Sequence, residues 1–344
     1  EQALSVLTER YCWDKEKTPE EVFRRVANAV AYAELNYISR HERDFGNHVF
    51  IREWANKFYD LMINQYFMPN SPTIMNAGTE NKQGLSACFV LPIPDNIEGI
   101  MQALHDQVII HKSGGGTGFS FSNLRPEGST VNSTQGVASG PISFLGLFDK
   151  ATDVIKQGGR RRGANMSILR VDHPDIIKFI NSKLSGGITN FNISVGITDE
   201  FMEALQNDGC YSLIDPQTKE GWYEEEFAFE ERFPGIAKVL DTDGWEINAK
   251  DVFDSICKAA WQTGDPGLFF VDRSNRYPSN PCPEIFQIES TNPCFVGNTY
   301  VWTLEGPIKF VDLVGKEVPV LTQTEDGKLL FRKMSNIRKT QQNV

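Results

Sequence analysis

No stretch of this chain approaches the roughly 20 consecutive apolar residues that a membrane span requires, and the first ten residues, EQALSVLTER, lack the basic-then-apolar pattern of a secretion signal. Positive charge is also scarce: 34 Lys and Arg stand against 45 Asp and Glu, a net charge of -11. That balance excludes a general nucleic-acid or membrane-surface binder, which needs excess cation to neutralise phosphates. Any phosphate must therefore be held locally. The six cysteines are dispersed, with no CxxC pair and no Cys/His cluster, so neither a disulfide framework nor a metal site is expected. No internal repeat or low-complexity linker is present. A cytoplasmic protein that binds neither membrane nor nucleic acid directly is the expectation.

What is present is ample. The 344 residues are 40% hydrophobic and 23% charged, enough to bury two or three cores. Charge is unevenly spread: residues 294–344 carry +2 and residues 1–293 carry -13, a shift that marks a boundary. The chain starts at Glu1 and stops after Gln342-Asn343-Val344 with no closing helix or strand, so both ends are expected to be cut from something longer.

The first 80 residues read as helical. Thr18-Pro19-Glu20-Glu21 is a capping box with proline at the first helical position, followed by Val22, Phe23, Val26 and Val30 on one face. Trp54, Phe58, Leu61 and Met62 form a second apolar stripe. From residue 81 to 293 short apolar runs at 88–93, 118–121, 166–171, 191–197 and 268–271 alternate with amphipathic segments near 96–111, 141–156, 174–183, 199–206 and 249–263, the pattern of an α/β sheet or barrel. The acidic stretch from Trp222 to Glu231 reads as a solvated hairpin or insertion. Beyond 294 the texture is all β, with runs at 299–303, 318–324 and 329–332 broken by Glu-Gly and Asp-Gly turns.

Several segments could carry chemistry. Lys112 to Phe119 is glycine-rich but leaves a helix and enters a strand, unlike a P-loop. Glycines there, Gly115 and Gly116 among them, let a bulky ligand approach the backbone or simply make a tight turn. Gln157-Gly158-Gly159-Arg160-Arg161-Arg162 sets three guanidinium forks between glycines inside an acidic domain, which suits phosphate. Arg125 lies in another ordered loop, Leu124 to Gly128. Pro69-Asn70-Ser71-Pro72-Thr73 and Leu85-Ser86-Ala87-Cys88 place hydroxyls and amides beside a thiol, although Cys88 opens an apolar strand and could equally be packed. Asp95 reads as a helix N-cap with Glu98 at N3.

Glu289-Ser290-Thr291-Asn292-Pro293-Cys294, together with Ser86-Ala87-Cys88, Gly114 to Ser122 and Gln157 to Met166, resembles the catalytic subunit of ribonucleotide reductase, and the wording of the two loops is more similar to the adenosylcobalamin-dependent class II enzymes than to the iron-dependent class I enzymes. The resemblance implies a helical domain over 1–80 and the first half of an α/β barrel over 81–293. It also implies reduction of ribonucleoside diphosphates by thiyl-radical chemistry with adenosylcobalamin. Asn292 would bond the ribose, and Cys88 would be half of a redox pair re-reduced by a thioredoxin- or glutaredoxin-type protein. Ser71, Thr73, Ser86, Ala87, Gly115 and Gly116 would line the substrate. Asp95, Arg125 and residues 157–162 would sense a deoxynucleoside triphosphate, and the enzyme would be a homodimer. Asn280-Pro281-Cys282-Pro283-Glu284 repeats the same residue types and is a decoy.

The family's loop continues Cys-Gly-Glu, whereas here Cys294 is followed by Phe295-Val296-Gly297-Asn298-Thr299-Tyr300-Val301. That string resembles the first block of an intein, a self-splicing insertion of all-β, Hint-type fold. On that reading 294–344 starts an intein, Cys294 is its nucleophile, Pro293 holds the scissile carbonyl, and the thiyl cysteine lies in the C-terminal remainder of the enzyme. The alternative to the intein is that Cys294 is itself the catalytic radical cysteine and the tail a divergent continuation; the alternatives to the class II reductase are a phosphate-binding module without radical chemistry and an iron-dependent reductase.

Overall fold

The computed structural model describes residues 4, 7–8, 11–37, 48–80, 84–112, 115–131, 136–155, 164–184, 186–241, 244–292, 300–303, 306–309, 318–323 and 329–334. The N-terminal part is helical: α1 (Pro19–Ala31), α2 (His48–Ile63) and α3 (Ser71–Asn76). The expected capping box is present, with Thr18 Oγ accepting from the Glu21 amide and the Glu21 carboxylate accepting from the Thr18 amide. Val22, Phe23, Val26, Met62, Ile74 and Ala77 make a small core of their own. Arg25 packs half-buried against it and ties the domain together. Its guanidinium bonds the Glu16 carboxylate and donates to the carbonyls of Tyr11, Ile74 and Ala77.

The second part is built on a five-stranded sheet of β1 (Cys88–Leu91), β2 (Gly116–Ser120), β5 (Asn165–Arg170), β6 (Phe191–Ile197) and β10 (Gly267–Phe270), in that order and all parallel. Between the strands run α4 (Ile97–Lys112), α5 (Gly140–Val154), α6 (Ile176–Asn181), α7 (Asp199–Gln206) and α9 (Ala249–Thr263). The predicted alternation is thus observed. β6 is buried on both faces: Ile193, Val195 and Ile197 on one are each 0–1% exposed, and Ser194 on the other is 7% exposed. A short hairpin of β3 (Thr130–Val131) and β4 (Gly136–Val137) decorates the loop after β2.

The acidic stretch departs from expectation. Between β7 (Cys210–Ser212) and the antiparallel pair β8 (Lys238–Asp241) and β9 (Gly244–Asn248) lies α8 (Glu226–Arg232), which is not a solvated hairpin. Its aromatics decided the outcome. Phe229 and Phe233 are fully buried and stack, and Phe229 also stacks on Trp245 with ring centroids 4.2 Å apart. Arg232 goes in with them, neutralised by Asp175 and Glu224.

After the short α10 (Val271–Ser274) the chain returns to the sheet. Beyond residue 300 the backbone forms a separate four-stranded antiparallel sheet of β11 (Tyr300–Thr303), β12 (Gly306–Lys309), β13 (Val318–Gln323) and β14 (Leu329–Met334), in the order β12-β11-β13-β14. The described strands of 300–334 are thus antiparallel, whereas those of the five-stranded sheet are parallel. Among the described residues no helix is long and apolar enough to cross a membrane.

Candidate active site

The site is assembled where strands begin. Cys88 opens β1 and its Cα is in register with Gly116, the first residue of β2, and the Gly116 amide donates to the Ala87 carbonyl at 2.7 Å. Cys88 is exposed, so the packed-thiol alternative fails. From the helical domain, the Thr73 hydroxyl donates to the Leu85 carbonyl at 2.7 Å, beside Ser86 and Ala87, and Asn70 caps α3 by accepting from the Thr73 amide. Ser71 lies within 3.0 Å of the Tyr11 hydroxyl. The two hydroxyl-bearing segments that the sequence separates are thereby joined next to Cys88. Tyr11 is a member that sequence reasoning missed; a lone tyrosine carries no pattern.

The far end of the chain completes the group. A Cβ placed on Gly116 would lie 3.1 Å from Asn292 Nδ2 and 3.3 Å from its Oδ1, and one on Gly118 would lie 2.0 Å from the Thr291 carbonyl oxygen. The glycines do admit a close approach, but what approaches is the chain's own Thr291-Asn292 segment. Gly115 differs. It is buried, and its Cβ position is taken by Ile110 and Phe89, so packing alone requires glycine there. Asn292 Nδ2 is buried and has no hydrogen-bond partner among the described residues. A buried donor left unmade costs about 1–3 kcal/mol, so such a group marks a place where a ligand acceptor belongs.

The Asn280 decoy is resolved by its bonds. Asn280 is fully buried; its amide donates to the Phe286 carbonyl and to Asn275 Oδ1 and its Oδ1 accepts from the Cys282 amide. Asn275 in turn donates to the Ile288 carbonyl and accepts from the Ile288 amide. Both asparagines are spent on holding the turn that delivers Glu289–Asn292 to β2.

Asp95 is not an N-cap: Asn96 takes that role, accepting from the Gly99 amide at 2.7 Å. Asp95 instead accepts from the Arg125 amide at 3.1 Å and from its Nε at 2.7 Å. The two effector candidates therefore meet across the ends of β1 and β2. The loop bearing Arg125 is pinned further along. Arg232 donates to Asp175 Oδ1 at 2.5 Å and to the Glu127 carbonyl at 2.9 Å, and Asp175 Oδ2 accepts from the Glu127 amide. Burial pushes the Asp175 carboxyl above its usual range while Arg232 opposes that shift. His173 sits in the same cluster, its Nδ1 accepting from the Asp175 amide and its Nε2 donating to the Leu124 carbonyl; burial lowers its pKa, against the opposing pull of Asp175 and the Leu124 carbonyl. Gln157, Gly158, Gly159, Arg160, Arg161, Arg162, Pro293 and Cys294 lie outside the described residues. Among the described residues no cluster of His, Cys, Asp or Glu could hold a metal ion.

Fold and site define a parallel α/β protein with a thiol, an unpartnered amide and several hydroxyls gathered at one end of its sheet, against a helical domain. Residues 1–82 match the ribonucleotide reductase all-alpha domain and residues 86–296 match the ribonucleotide reductase barrel domain, so the chain belongs to the ribonucleotide reductase large-subunit family. It is 51% identical over 243 residues to a vitamin B12-dependent ribonucleoside-diphosphate reductase of Thermoplasma acidophilum, covering 70% of this chain and 28% of that protein. It is 42% identical over 299 residues to the Mycobacterium tuberculosis protein of the same description, covering 85% and 38%. A ribonucleoside-diphosphate reductase large chain of Saccharomyces cerevisiae is 32% identical over 263 residues, covering 70% and 30%. The chain thus spans well under half the length of these relatives.

Proposed function

We propose that this chain supplies the N-terminal half of the active site of a cytoplasmic, vitamin B12-dependent ribonucleoside-diphosphate reductase, with domains over 1–80 and 81–293. The observation that carries it is the buried, unpartnered Asn292 amide resting on Gly116 next to the exposed Cys88. Reduction removes the ribose 2′-hydroxyl as water while two thiols become a disulfide, so the site must grip the ribose and deliver two electrons. Asn292 would donate to a ribose hydroxyl, and Ser71, Thr73, Ser86 and the 86–88 backbone would hold the diphosphate without net charge. Cys88 would furnish one reducing sulfur, restored by a thioredoxin- or glutaredoxin-type protein. Adenosylcobalamin supplies the initiating radical when bound. The glycine-floored cradle at Gly116 and Gly118 does not fit its corrin ring, being filled by Thr291 and Asn292.

Asp95, Arg125 and residues 157–162 would bind a deoxynucleoside triphosphate. The exposed Ile97, Met101 and Ile109 of α4 and Leu147 and Val154 of α5 support a second copy of the chain as partner. Cys88→Ser in the full-length protein, assayed with adenosylcobalamin and a dithiol, is expected to abolish deoxynucleotide formation; undiminished product would refute the assignment. Activity that ignored adenosylcobalamin and required a second subunit would favour the iron-dependent reading.

Residues 294–344 are proposed as the beginning of an intein. The support is the separate antiparallel sheet after 300 and the end of the barrel-domain match at 296. The Cys294 thiolate would attack the Pro293 carbonyl, transferring the acyl group from nitrogen to sulfur and freeing the amine of residue 294. Cys294→Ala is expected to eliminate thiol-induced cleavage after Pro293 in the full-length protein, read by mass spectrometry; persistent cleavage would rule the intein out.

A further inference from the structure

We infer that Thr117 and Asn165 are positioning residues of this site, through a buried hydrogen-bond chain of His111, Thr117, Asn165 and Thr152, flanked at its outer end by Gln107, in which the first four lock the start of β5 against β2 and so set Gly116, the seat of Asn292. The inference rests on the reading that Asn292 and Cys88 face the substrate. All five members are 0–2% exposed, and the substrate reading uses none of them.

The direction of every bond can be worked out. Asn165 Nδ2 lies 3.1 Å from the Asn190 carbonyl, so it donates there, and Asn165 Oδ1 must accept. The Thr117 hydroxyl therefore donates to Asn165 Oδ1, at 2.6 Å, and its lone pair faces His111 Nε2 at 3.2 Å. His111 is thus the neutral Nε2–H tautomer with a bare Nδ1, and burial lowers its pKa accordingly. On the other side the Thr152 hydroxyl donates to the Phe148 carbonyl and accepts from Asn165 Nδ2 at 2.9 Å and Gln107 Nε2 at 2.7 Å. Asn165 joins the two halves and has only one orientation that satisfies both.

Its neighbours lie beside Gly116. The Thr117 amide donates to the Ala164 carbonyl at 3.1 Å, and that same carbonyl lies 3.1 Å from where a Cβ on Gly116 would be. Gly116 is thus held between Ala164 on one side and Asn292 on the other. Thr152 near the end of α5 and Asn165 at the start of β5 flank the 156–163 segment with its three arginines, so the cluster joins both ends of that segment to the Asn292 seat. A polar network in a core gives up stability that apolar packing would supply, and in return it specifies one geometry.

The test is the rate at which iodoacetamide alkylates Cys88 in the full-length protein with and without ADP, read on the Cys88 peptide by mass spectrometry. ADP is expected to protect Cys88 in the parent. Thr117→Val keeps the shape but strands Asn165 Oδ1 and His111 Nε2–H, and is expected to raise the ADP concentration for half-protection about tenfold. Thr117→Ser, which restores the hydroxyl, should return it to within about twofold by the same reasoning. Gln107→Met removes only the outermost donor; it is expected to lower thermal stability yet leave protection at the parental level. If Thr117→Val does not fold, Thr152→Val cuts the chain on the far side of Asn165 and must shift protection in the same direction. Parental protection in the folded Thr117→Val or Thr152→Val protein, or an equal shift in Gln107→Met, overturns the positioning role. A parent that ADP does not protect overturns the substrate-site reading, and the inference with it.

Discussion

Gly118→Ala is expected to lower turnover of the full-length protein about a hundredfold while changing its melting temperature little, because a 1 Å misplacement of a reacting group can cost that much. The added methyl would sit 2.0 Å from the Thr291 carbonyl oxygen and 2.8 Å from its carbon. Backbone cannot give as a side-chain tip does, so Thr291 must lift off β2 and carry Asn292 away from Gly116. The melting temperature is spared because the displaced segment lies over the strand rather than inside the apolar core, where Phe119 and Phe121 remain undisturbed. Gly146→Ala in α5 is the control, since a Cβ there meets nothing within 4 Å; replacing a helical glycine should raise stability by about 0.5–1 kcal/mol. Full turnover in Gly118→Ala would show that Thr291 and Asn292 need not rest on β2.

Arg232→Met is expected to cost about 3–5 kcal/mol, because it leaves a buried carboxylate without its counter-ion. Asp175 is fully buried, and Arg232 is the guanidinium bonded to it. At about 2–4 °C per kcal/mol for a domain of this size, the melting temperature should fall by roughly 10 °C. The sign of its pH dependence follows. Burial already raises the Asp175 pKa, and without Arg232 it rises further, so the folded form binds a proton that the unfolded form releases. The penalty therefore grows as pH rises through the folded pKa and vanishes below the ordinary carboxylate value near 4. Thermal unfolding of parent and variant should converge on acidification. Asp175→Asn combined with Arg232→Met should recover part of the loss at neutral pH; a single-variant loss below about 1 kcal/mol would place the pair among inconsequential ones.

The second variant also reaches the loop that carries Arg125, since Arg232 donates to the Glu127 carbonyl. None of this was legible in the acidic stretch, where a local count of charges points to solvent. The deciding quantity was burial of Phe229 and Phe233 against Trp245, contacts made across turns that no periodicity records. At Asp95 only the cap reading fails, for a similar reason. Its place before a helix fits a cap, but Asn96 is one residue better placed and Asp95 is taken by Arg125 from the next strand's loop.

By itself the sequence determined the alternation of strands and helices, the capping box at Thr18, and the family through its ordered motifs. Each is written in neighbouring residues, because amphipathic periods, caps and motif strings are local properties. Tertiary structure alone decided that Thr291 and Asn292 lie on Gly116 and Gly118, that Tyr11 reaches Ser71, that Asn280 braces a turn, and that Thr117 and Asn165 share a buried bond. These join residues far apart in the chain, and which of them meet depends on how the parallel sheet stacks its strand ends, a matter of packing that no single segment encodes.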